Sequence, residues 1–177
     1  VAQGLLGCYF RNRFFYGDVM VRVDSRVEFN WDKGPAKDFV TDNYSVCWMG
    51  QLRANHDGEH TLYITAEEGI RLWLGEQLLI NEMRNQTRQE FAPKLMLKKN
   101  QRYDLRMEMV NRKGGSTMKM EWAEPARSRA LIPSANFHVA FVPPPPSEQV
   151  GKVDLSQTLG VFTWGGSRIA GGVVSAD

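Results

Sequence analysis

Apolar and polar residues alternate one for one along residues 44–81. Val46 and Trp48 alternate with Ser45 and Cys47, and Leu62, Ile64 and Ala66 with Tyr63 and Thr65. Ile70, Leu72 and Leu74 alternate with Arg71 and Trp73, and Leu78 and Ile80 with Leu79 and Asn81. A period of two puts successive side chains on opposite faces of an extended strand. The breaks carry turn chemistry: Asn55-His56-Asp57-Gly58, Glu67-Glu68-Gly69 and Gly75-Glu76. The last, two residues with Gly first, fits a type II′ hairpin. The alternation returns at Tyr103, Leu105, Met107 and Met109, and at Met118, Met120 and Trp122, with Gly114-Gly115 in the turn between. Earlier, residues 4–31 hold strand candidates separated by Asn12, Gly17-Asp18 and Asp24-Ser25. The pattern predicts an all-β, antiparallel chain.

Between the strands the sequence is less regular. Phe14, Phe15 and Tyr16 cannot all face one side of a strand, so one or two are expected to pack beneath a loop. Residues 32–43 read as a loop punctuated by Gly34-Pro35. Residues 82–93 lose the alternation and are polar, which predicts a long exposed connection carrying Arg84 and Arg88. Pro143–Pro146 form a stiff spacer. The expected division is a β-domain at 1–142, a proline linker at 143–147 and a β-hairpin extension at 148–177. The last is too short for a core of its own, and is expected to begin a following domain, with disorder or docking on a neighbour as the alternatives.

Composition narrows the functional classes. The 177 residues are 42% hydrophobic, enough for a real core, and carry a net charge of +2 from 22 basic and 20 acidic residues. This near balance gives no electrostatic argument for nucleic acid. No run of eighteen apolar residues predicts membrane insertion. Because the chain starts at Val1, we expect a mature product or a fragment. Two cysteines, Cys8 and Cys47, lie in predicted strands on the face opposite the large apolar residues; a disulfide between them and two free thiols are both open.

The central block also resembles a known family. Ser45-Val46-Cys47-Trp48-Met49-Gly50, Gly58-Glu59-His60-Thr61-Leu62-Tyr63 and Glu67-Glu68-Gly69-Ile70-Arg71-Leu72-Trp73-Leu74 are similar to the core of the PA14 family, named for the anthrax protective antigen. The opening Gly4-Leu5-Leu6-Gly7-Cys8-Tyr9-Phe10, then Phe29-Asn30-Trp31, Met118–Trp122 and Leu131-Ile132-Pro133 extend the match over about residues 3–140. The resemblance implies a PA14-like β-sandwich serving as a binding module in a larger secreted, cell-surface or periplasmic protein. Glycans are the implied ligands, and protein–protein interaction without sugar binding is the alternative.

In sugar-binding members two adjacent aspartates stand at the Glu67-Glu68 position and hold a calcium ion. The resemblance therefore makes Glu67, Glu68 and Gly69 the expected ligand site, with Glu67 and Glu68 as candidate calcium ligands. Calcium takes six to eight hard oxygens and can leave positions open for a diol. Glutamate in both places is a departure, because each extra methylene displaces the carboxylate. Trp73, beside Arg71 on the face opposite Ile70, Leu72 and Leu74, is either a sugar platform or packing beneath a covered sheet face. No nucleophile triad, metal-ligand histidine spacing or phosphate-cradling loop occurs, so a non-enzymatic chain is expected.

Overall fold

The computed structural model describes residues 2–84 and 87–145, and the backbone of 161–164 and 167–170. It is a sandwich of two antiparallel sheets. The seven-stranded sheet contains β1 (Leu5–Phe10), β2 (Val19–Asp24), β4 (Tyr44–Arg53), β6 (Gly69–Leu74), β7 (Gln77–Glu82), β10 (Arg102–Asn111) and β13 (Phe137–His138). Its order is β2-β1-β4-β10-β6-β7, with β13 added beside β4. The second sheet is built on β5 (Gly58–Ala66) and β11 (Ser116–Ala123). β3 (Glu28–Trp31) and β12 (Ala130–Leu131) pair with β11, while β8 (Gln89–Phe91) and β9 (Lys94–Leu97) pair with β5. A short 3-10 turn at Ser134–Asn136 precedes β13.

The period-two residues meet where the alternation predicts. Val46, Trp48, Leu72, Met107 and Met109 from one sheet, and Leu62, Ile64, Met118 and Met120 from the other, are buried in one core. Gly75 takes a φ of +59° in the predicted two-residue turn between β6 and β7, a value that glycine adopts without a Cβ clash. The long connection expected over 82–93 is exposed over 87–90 but carries a strand, because Gln89–Phe91 pairs with Ile64–Ala66. A three-residue strand is too short to show alternation, and its main chain is recruited by the edge of β5. Pro93 is tolerated there because an edge strand needs no inward N–H; its carbonyl accepts from the Leu62 N–H at 3.0 Å.

An aromatic layer links the sheets. Phe29 stacks on Trp31 at 4.6 Å, Trp31 lies 6.2 Å from Trp48, and Tyr9 meets both tryptophans edge-on. A buried carboxylate holds this layer. Asp24 accepts from the Tyr9 hydroxyl and from the Trp48 Nε1–H at 2.9 Å, and Arg22 pairs with its other oxygen at 2.8 Å. Arg22 in turn lies 4.4 Å above the Tyr9 ring and donates to the Pro35 carbonyl at 2.9 Å, pinning the 32–43 loop.

The outer face of the seven-stranded sheet is covered too over β1, β4 and β10. Cys8, Phe10, Cys47, Met49 and Val110 form a second cluster with Phe15 and Val142. Phe15 is thus the buried member of the aromatic trio, while Phe14 and Tyr16 are exposed. Arg106 and Glu108 are fully buried in this layer. Arg106 reaches Glu108 at 3.0 Å and donates to the Val142 carbonyl at 2.6 Å, and Arg71 pairs with Glu108 at 2.9 Å. The C-terminal strap 139–145 therefore seats on a charge network. Beyond it, the expected linker end at Pro146 and most of the 148–177 extension lie outside the described residues. Within that extension Val161–Trp164 and Ser167–Ala170 pair as a hairpin.

Replacing Asp24 with Ala leaves a buried hydroxyl and indole N–H without an acceptor and Arg22 without its partner. We expect a loss of about 2–4 kcal/mol, read as a shifted urea midpoint with unchanged slope.

Candidate functional site

Strand register decides which loops share an end of the sandwich. Gly69 is opposite Val110, Asn111 opposite Tyr44, Ser116 opposite Trp31, and Glu82 opposite Ile70. These pairings gather the bend at 67–68, the turn at 112–115, the loop at 32–43 and the segment after β7 on one rim. Direct contacts tie them. The Gly114 N–H donates to Asp42 at 2.6 Å, the Arg112 guanidinium to the Met83 carbonyl at 2.7 Å, and the Thr117 hydroxyl to Glu67 at 3.0 Å. The Glu67 N–H also donates to the Thr117 carbonyl at 3.1 Å.

Within this rim the sequence-predicted residues take different stations. Glu67 is half-buried and reaches solvent beside Thr117. Glu68 is only 5% exposed. Burial raises its carboxyl above the usual range, and the Arg112 main-chain N–H and guanidinium partly offset this. Gly69 sits under the segment after β7: a Cβ there would meet the Met83 carbonyl oxygen at 2.4 Å, so only glycine fits. Trp73 is 2% exposed in the outer layer, with the Arg71 guanidinium 5.5 Å from its ring, so its faces are not offered to solvent. Glu67 and Gly69 thus share the rim, whereas Glu68 and Trp73 are turned into the protein.

The calcium arrangement can be set against these positions. The Glu67-Glu68 pair does not present two carboxylates to one ion, since Glu68 is buried beside a guanidinium. Among the described residues, no group of three or more His, Cys, Asp or Glu side chains is placed to hold a metal. The residues present do not fit the paired-carboxylate pattern.

Tertiary structure also makes features that residue spacing did not announce. Tyr103 lines three open clefts at the opposite end. One, of about 710 Å³, has Glu76, Arg102, Asp104 and Pro143–Pro145 as further walls. Near that end Glu124 takes His56 Nδ1 at 2.7 Å, while His60, fully buried, holds the Gly58 carbonyl at 3.0 Å. Nothing in the sequence brings residue 124 to residues 56–60; the β5–β11 pairing does.

Ionising Glu68 costs stability. Its folded-state pKa lies above its unfolded value, so the folded chain holds the proton more tightly, and stability falls as pH rises from about 4.5 through the folded value. Glu68→Gln removes this dependence. Its denaturation midpoint relative to the parent chain is expected to move upward between pH 4 and pH 7; a parallel pair of curves would contradict this assignment.

Comparisons with known proteins agree with this architecture. The family model described as the PA14 domain matches residues 1–136. The anti-sigma-I factor RsgI3 of Acetivibrio thermocellus is 29% identical over 150 residues, covering 84% of this chain and 23% of that protein. A solved anti-sigma factor domain-containing protein from Clostridium clariflavum superposes with a TM-score of 0.73 at 30% identity, covering 79% of this chain and 48% of that one. The PA14 sugar-binding domain from an RTX adhesin superposes with a TM-score of 0.63 at 14% identity, over 79% of this chain and all of that one, a likeness of fold alone. This chain spans about a quarter of the curated relative and about half of the solved anti-sigma structure.

Proposed function

The chain belongs to the PA14 domain family, and from that premise we propose that it is a non-catalytic recognition module of a larger extracellular protein, with glycans as its ligands. The observation that carries this reading is the rim itself. Loops from both sheets meet around Glu67 and Gly69, with Asp42, Arg112 and exposed Arg84 and Lys113 at its border. Hydroxyl-rich ligands are bound by such mixtures of carboxylate, guanidinium and main-chain groups, because each can donate or accept in a fixed direction. A sugar-binding PA14 domain among the structural neighbours supports the ligand class. Both faces of the seven-stranded sheet are occupied over β1, β4 and β10, and the loops offer the polar groups that recognition needs.

Calcium is not required by this reading.

A glycan array probed with and without calcium tests the proposal. Binding is expected, and Glu67→Ala is expected to weaken it at least several-fold while leaving the melting temperature within a few degrees. Trp73→Ala serves as the contrast: it should cost about 3 kcal/mol of stability by opening a cavity in the outer layer. Retention of binding in Glu67→Ala with loss in Tyr103→Ala would move the site to the opposite clefts. An array with no signal in either condition would sink the glycan reading.

A second reading, protein–protein interaction, draws on a different surface. Val19, Val21 and Val23 are 42%, 53% and 49% exposed in a row along edge strand β2, next to exposed Phe14 and Tyr16. Exposed apolar rows of this kind mark association surfaces. Two of the relatives are anti-sigma factor proteins, whose names point away from adhesion. Under this reading sedimentation should show concentration-dependent association that Val21→Lys abolishes; a monomer at all concentrations would speak against self-association.

A further inference from the structure

We infer that Cys8 and Cys47 form a cross-strand disulfide site, closed while the chain folds in an oxidising compartment. The two are direct partners in the antiparallel register of β1 and β4. Both side chains are on the outer face of that sheet, in the cluster with Phe10, Phe15, Met49 and Val142. Directly opposed residues on antiparallel strands have Cβ atoms about 4.5–5.5 Å apart, and a disulfide needs about 3.5–4.5 Å. Closing the bond therefore takes a local shift of the two strands and no change of register.

The chemistry needs a disulfide oxidant, such as oxidised glutathione. A thiolate from one cysteine attacks a glutathione sulfur and expels one glutathione thiolate, leaving a mixed disulfide. The thiolate of the second cysteine then attacks the protein sulfur and expels the other. The protein gives up two electrons and two protons, and one molecule of oxidised glutathione becomes two of the reduced form.

Cover decides when this can happen. Cys8 is 2% exposed and Cys47 fully buried, with Phe15 and the Val142 strap packed in the same cluster. Burial pushes the Cys8 thiol up to about 11 and the Cys47 thiol up to about 12, with the Arg106 charge opposing the rise in both. The folded chain thus holds almost no reactive thiolate at neutral pH. Exchange belongs to the stage when β1 and β4 have paired but Val142 has not yet accepted the Arg106 hydrogen bond. The bridge encloses the segment between residues 8 and 47, which includes β2, β3 and the 32–43 loop.

The test uses the full chain. It is refolded from guanidinium in mixed reduced and oxidised glutathione, and in parallel with a phosphine reductant. Each product is alkylated with iodoacetamide in denaturant and weighed. The oxidatively folded monomer is expected to be lighter by two hydrogens before alkylation and to take up no iodoacetamide. Its melting temperature should lie about 5–10 °C above that of the reduced form, from loop closure in the unfolded chain. Chain folded in reductant and then exchanged into oxidised glutathione at pH 7.5 is expected to keep both thiols for hours. A natively folded oxidised product with two alkylatable thiols would overturn the proposal, as would one whose thiols appear only as glutathione adducts or interchain links. Prompt oxidation of the prefolded chain would overturn the order of events. Cys8→Ala should lose the gain in melting temperature; should it fail to fold, the parent-chain masses still decide.

Discussion

The fold depends on a carboxylate that water barely reaches. Asp24 ends the edge strand β2, yet its two oxygens take the Tyr9 hydroxyl, the Trp48 indole N–H and the Arg22 guanidinium. A charge in an apolar interior is tolerated only where its lone pairs are met by donors. Here the donors come from β1, β2 and β4, so one acceptor fixes the relative placement of three strands. Trp48, so oriented, packs beside Trp31 from the opposite sheet. The polar hub makes the aromatic layer specific, and the aromatic layer excludes the water that would weaken the hub.

A second constraint acts on the other face. Antiparallel sheets commonly leave one face to solvent. Over β1, β4 and β10 this one does not, because the strap that follows β13 returns across β10 and places the Val142 carbonyl on buried Arg106. With Glu108 and Arg71 the network is paired at both ends. Its consequence is functional. With both faces filled over β1, β4 and β10, Trp73 is a packing residue, and the loop rims and the exposed valine row of β2 are surfaces left for recognition.

The rims differ in character. Around Glu67 the loops are cross-tied by side-chain contacts to main chain, as in Asp42 to Gly114 and Arg112 to Met83, which holds them in fixed relation. At the other end three clefts meet at Tyr103. The buried position of Glu68 shows how a motif keeps its place in the chain while its chemistry changes. A longer acidic side chain at a closed bend turns inward against Arg112, where its proton is held more tightly.

Local periodicity determined the strands, the two-residue Gly75-Glu76 turn and the inward positions of Trp48, Leu72 and Met107, because a pleat fixes side-chain facing without reference to anything distant. The signature residues of the central block likewise determined the family. The proximity of residues far apart in sequence was decided only by the tertiary structure. β8 took its form from the edge of β5, Glu124 met His56 through the β5–β11 register, and Cys8 met Cys47 through β1 and β4. Trp73 was left open between platform and packing, and Glu68 was expected as a ligand where the fold buries it, for one reason. Alternation tells which face a side chain points to, and only the rest of the folded chain tells what covers that face.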